Sequence, residues 1–103
     1  MPIDHFENSD SVSDIGASQN DTGLKWQLDP ISEEGADAIT AAIVDHINSG
    51  GTVKITWVDQ DGESFMFVAD AIESSNGDNY LFTGEAIGDT GSGKAQSVWV
   101  EYL

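Results

Sequence analysis

The chain has 103 residues, 39% of them apolar, which suits a single domain around one modest core. Nineteen acids oppose three lysines (Lys25, Lys54, Lys94) and no arginine, for a formal net charge of −16. That balance excludes direct binding to DNA, RNA or an anionic membrane, which depends on Lys and Arg. The lack of cysteine excludes disulfides, thiolate zinc sites and cysteine nucleophiles.

Residues 1–23 carry five acids and no basic residue, with Ile3, Phe6, Val12 and Ile15 scattered among Ser, Asp and Asn. They read as a flexible acidic segment ahead of one α+β domain over residues 24–103. The start of the chain has no basic n-region followed by an apolar run, so it does not read as a secretory signal. No run approaches the ~18 apolar residues of a membrane span.

Leu24–Leu28 alternates, with Leu24, Trp26 and Leu28 on one face, and predicts a short strand. Asp29-Pro30 ends it and opens a helix over Ile31–Asn48, capped by Asp29 or Ser32. At 100° per residue Ala36, Ile39, Ala42, Ile43, His46 and Ile47 share its apolar face. Gly50-Gly51 supplies the stop. Thr52–Val58, with Val53, Ile55 and Trp57 on one face, predicts a second strand. Asp59–Gly62 predicts a tight turn, because Asp-Gly tolerates positive φ. Glu63–Glu73, Tyr80–Ile87 and Ala95–Leu103 complete the strands.

The order β-α-β-β-β-β predicts an α+β fold: one amphipathic helix packed on a mostly antiparallel sheet of about five strands, with an acidic N-terminal tail. One pattern strains against this expectation. Phe65, Phe67 and Ala69 alternate with Met66 and Val68, and Val98, Val100 and Tyr102 with Trp99 and Leu103. A sheet with one wet face is not apolar on both sides. The strands therefore curl toward a barrel, or the N-terminal segment, a twin subunit or a target covers the second face.

Gly88–Lys94 has the spacing G-x-x-x-x-G-K of a phosphate-binding loop. Such a loop needs a helix after it and a hydroxyl after the lysine. Here strand-like Ala95–Leu103 follows and Ala95 stands at the hydroxyl position, so no nucleotide or other cofactor is expected. The acids of Asp59–Glu63 and Asn76–Asn79 suit hairpin turns better than calcium, since neither has the twelve-residue ligand order of an EF-hand loop. His5 and His46 lack a marked nucleophile and orienting acid. The expectation is a protein that is not an enzyme.

The acids themselves remain. Glu33, Glu34, Asp37 and Asp45 lie on the outer helix face, and Asp59, Asp61, Glu63, Asp70 and Glu73 at turns and on strands. Carboxylates pair with Lys and Arg much as phosphates do. These nine are therefore the candidate contacts of a phage- or mobile-element-encoded nucleic-acid mimic. It would block a basic nucleic-acid-binding protein in the cytoplasm of the host cell. In general character this is similar to the DNA-mimic inhibitors of restriction enzymes, DNA glycosylases and CRISPR effectors. An interaction or virion-assembly module with an apolar sheet face, a homodimer included, is the alternative. A salt-adapted domain is another, favoured by twelve Asp against seven Glu.

Overall fold

The computed structural model describes residues 3–7, 14–29, 36–76 and 79–103. Seven strands and one helix follow in chain order: β1 (Ile3–Glu7), β2 (Asp14–Gln19), β3 (Gly23–Asp29), α1 (Ala36–Asn48), β4 (Val53–Asp59), β5 (Ser64–Asn76), β6 (Asn79–Ile87) and β7 (Ser92–Tyr102). Pro30, Ser32, Glu33, Glu34, Gly77 and Asp78 lie outside the described residues.

The expected open sheet is closed. β7 pairs antiparallel with β4 from Ala95 to Tyr102, and its first residues, Ser92–Lys94, pair with β2 on the other edge. The result is a six-stranded antiparallel barrel in the cyclic order β7-β2-β3-β6-β5-β4, with one short helix and 64% strand. This corrects the reading of a helix packed on an open sheet. It also corrects the N-terminal tail, because Asp14–Gln19 is a stave of the barrel and Ile3–Glu7 pairs with Ser97–Glu101 beyond β2. "DIGASQ" alternates only through Ile15 and Ala17 before the polar Gln19, too short an apolar run to mark a strand without its pairing to β3 and β7.

Closure accounts for half of the doubly apolar strands. Val53, Ile55 and Trp57 of β4, Phe65, Phe67 and Ala69 of β5, and Val98, Val100 and Tyr102 of β7 point inward and are buried with Leu24, Trp26 and Phe82. Trp57 and Phe65, cross-strand neighbours, sit with ring centroids 4.7 Å apart. Two bulges in β5, at Asp70 and Glu73, shift the register with β6 and bend the strand around the barrel. Between them Ile72 still pairs with Phe82 and packs against the core.

The helix plugs the end where β4 begins and β7 finishes. Ile43 and Ile47 are buried, and Ala42 and Val44 pack beside them. Trp26 of β3 donates its indole N–H to the Thr40 hydroxyl at 3.2 Å, both buried. Gly51 N–H to His46 C=O (3.0 Å) and Gly50 N–H to Ile47 C=O (2.9 Å) form a Schellman stop, with Gly50 at φ +91°. His46 closes the corner: Nε2 lies 2.9 Å from the Leu103 carbonyl oxygen, and its ring meets Tyr102 edge-on at 5.3 Å.

Gly84 of β6 lies against β5, opposite Ala69 and just before the first bulge. A Cβ there would overlap the Val68 carbonyl oxygen, a backbone atom that cannot swing aside. Gly84→Ala is expected to lower the urea midpoint with a loss of about 2 kcal/mol or more. An unchanged midpoint would show that β5 and β6 have slack at this crossing.

Candidate functional site: an acidic mouth on the barrel

The end opposite the helix is built around one polar side chain. Gln19 ends β2, points inward and is only 6% exposed. Its Oε1 accepts from Trp57 Nε1 at 2.9 Å, and its Nε2 donates to the carbonyls of Met66 (3.2 Å) and Asp89 (3.3 Å). Its backbone N–H donates to the Gly91 carbonyl at 2.9 Å. One residue thus ties β2 to β4, to β5 and to the β6–β7 loop. Gly91 lies flat over Phe65, where a Cβ would come 2.6 Å from the ring.

Two turns complete this mouth. Asp59 Oδ1 accepts the N–H groups of Asp61 and Glu63, each at 2.9 Å, while Asp59 N–H donates to the Glu63 carbonyl. Gly62 adopts φ +87°, as the Asp-Gly signal requires. In the β2–β3 turn Asn20 Oδ1 accepts from Thr22 and Gly23 N–H, and the Asp21 carbonyl accepts from Ala86 N–H at 3.0 Å. Glu63, Ser64, Phe65, Asp89 and Thr90 line an open depression of about 540 Å³. Asp21, Asp61, Glu63 and Asp89 thereby stand exposed around one end of the barrel.

The expected acids are only partly gathered. Asp59, Asp61 and Glu63 meet at the mouth, but the Asp59 carboxylate is occupied by its own turn. Asp37 and Asp45 belong to α1, at the other end of β4, roughly 20 Å away at ~3.3 Å per residue. Asp70 and Glu73 are exposed at the two β5 bulges. Glu73 shares a groove with Lys25, Ser18 and Thr83, so a lysine offsets its charge there. Glu33 and Glu34 lie outside the described residues. Asp21 and Asp89 were missed as contact candidates, because the β5–β6 register, the Ala86–Asp21 bond and the Gln19 bonds together bring their loops beside Glu63.

Among the described residues the interior is packed mainly with large apolar side chains. Trp26, Trp57, Phe67, Phe82, Leu24 and Ile55 fill it, and six strands enclose less than the eight that side chains alone can fill. The glycine-rich stretch enters strand β7 at Ser92, so no helix N-terminus faces it. Among the described residues no group of three or more His, Asp or Glu is placed to hold a metal ion, and no helix is long and apolar enough to cross a membrane. No protein-family model matches the chain, and comparison with curated proteins and with solved structures finds no match either.

Gln19→Leu would strand the Trp57 indole N–H in the core and release the β6–β7 loop. A loss of roughly 2–4 kcal/mol in urea unfolding is expected. Ser18→Ala, exposed on the next residue, should stay within about 0.5 kcal/mol. Equal behaviour of the two variants would contradict the anchoring role.

Proposed function

We propose that the protein is an acidic nucleic-acid mimic that occupies the nucleic-acid-binding surface of a basic effector: a CRISPR-Cas protein, restriction enzyme, nuclease or DNA glycosylase. The observation that carries this reading is the mouth itself. Exposed carboxylates of Asp21, Asp61, Glu63 and Asp89 stand on turns held by Asn20, Asp59 and Gln19, on a chain of net charge −16 without arginine. Turns whose backbone is already held lose little backbone freedom on binding. They accept bidentate hydrogen bonds from arginines that otherwise hold phosphates. The field of the whole chain steers encounter with a basic surface, which makes association fast and salt-sensitive. A filled interior supports binding rather than catalysis. Action inside a host cell, from a phage or mobile element, follows from the targets this chemistry fits.

A competition assay tests the proposal. Labelled duplex or guide complex is bound to a panel of such effectors and the protein is titrated in. Displacement from at least one member is expected, weakening steeply with added salt. The triple variant Asp61→Lys, Glu63→Lys, Asp89→Lys should lose tenfold or more in potency, with Asp59 left intact to keep the turn. Equal potency of variant and wild type would remove the mouth as the contact surface.

One observation favours a second reading. Exposed acids also cover the walls and the helix, at Asp45, Asp70, Glu73 and Glu85, and Asp outnumbers Glu. A domain adapted to high salt has this distribution, and on that reading no member of the panel is displaced.

A further inference from the structure

The outer wall of the barrel carries a second surface. Antiparallel partners point to the same side of a sheet, and the register places Trp99 beside Thr56, Thr56 beside Met66, and Met66 beside Ile87. From β7 through β4 and β5 to β6 the row spans about 14 Å at ~4.8 Å per strand, and beyond Trp99 the register continues to His5 of β1. Trp99 is 38% exposed and Ile87 42%, although both stand in strands where a polar residue would serve. Val58 and Val68 flank the row, each half-buried. The neighbouring row runs from Ile3 of β1 through Glu101, Lys54 and Val68 to Glu85, two acids about one lysine. Glu63 and Asp89 follow at the mouth.

We propose that this row docks a protein partner whose own surface presents apolar side chains flanked by Lys or Arg. The sign of the partner's charge rests on the reading given under Proposed function; the apolar contact does not. Charge selects the occupant. A second copy would bring another net charge of −16 against the first, and each copy offers only Lys54 in these two rows to offset the acids of the other. A basic partner gains both terms at once: its cations meet Glu85, Glu101 and Glu63 at the rim, and its apolar residues cover Trp99, Met66 and Ile87 at the centre. That is the usual anatomy of an interface, with an apolar middle and a polar edge. Trp at such a centre commonly dominates the binding energy.

Two synthetic probes separate the contributions: an amphipathic Leu/Lys helical peptide and an oligolysine of equal charge. Each is titrated into isotopically labelled protein near physiological salt. The amide resonances of Met66 and Ile87 and the Trp99 indole are followed, with sedimentation velocity in parallel. The Leu/Lys peptide should bind about tenfold tighter than oligolysine and shift the outer row. Trp99→Ser with Ile87→Ser should reduce it to the oligolysine level without lowering the melting temperature. Equal affinity for both probes, with shifts confined to the mouth, would overturn the docking row and leave the acidic reading standing. Binding of the Leu/Lys peptide at the row with no binding of oligolysine would support the row and count against the acidic reading. Concentration-dependent shifts of Trp99 with a dimer in sedimentation would overturn the proposal in favour of a second copy. Binding of neither probe would overturn both.

Discussion

Strand β7 hydrogen-bonds along both edges, to β4 on one side and to β2 and then β1 on the other. Everything else in the molecule depends on that double pairing. An open sheet of this composition would leave an unpaired edge and a wet face lined with Phe, Trp and Val. Closure removes the edge between β4 and β2 and turns the faces carrying Trp57, Phe67, Val98 and Val100 onto one another. Gln19 secures the seam from within, because it lies on β2 beside β7 and its side chain reaches β4, β5 and the β6–β7 loop. Its three side-chain bonds are satisfied in a dry setting, where an unmet partner is costly.

The same closure explains why so much charge is tolerated. Like charges on a small body repel and favour expansion. The opposing term is a continuous core from Ile43 and Ile47 on the helix to Trp57 and Phe65 at the mouth. Asp59 and Asn20 spend side-chain oxygens on turns, so part of the polar inventory is structural. The carboxylates beyond these lie outside the core, at the mouth, on the walls and on the helix. The outer wall differs from both, since Trp99, Met66 and Ile87 form an apolar band between acidic margins. In the proposed complex, charge brings the partner near and apolar area holds it once there.

Much of this fold was legible in the sequence because much of it is local. The alternations of Leu24–Leu28, Thr52–Val58 and Tyr80–Ile87 found their strands to within a residue or two, and Val53, Ile55 and Trp57, grouped on one face of β4, all lie in the core. Gly50-Gly51 and Asp59–Gly62 encode positive φ in their own chemistry. Whether the sheet is open or closed is not local. It depends on β2, whose "DIGASQ" has only Ile15 and Ala17 in apolar alternation and whose inward Gln19 looks like a surface residue until Trp57 is found beside it. The doubly apolar strands were the one trace of closure, and they served several explanations equally. The site suffered in the same way. Asp61 and Glu63 were visible as a turn, whereas Asp21 and Asp89 join them only through long-range pairing, and Asp45 is carried to the far end by the helix.

The account holds that the closed core is enough to fold this chain against its own charge, which leaves the acidic surface free to act on a partner. Circular dichroism with a thermal melt, at low ionic strength and again in molar KCl, tests that most directly. A cooperative transition from a β-rich state already present at low ionic strength is predicted, with salt raising the midpoint only modestly. A chain that is unfolded at low ionic strength and folds only in molar KCl would contradict it, and would make the acidity an adaptation to solvent rather than an instrument of binding.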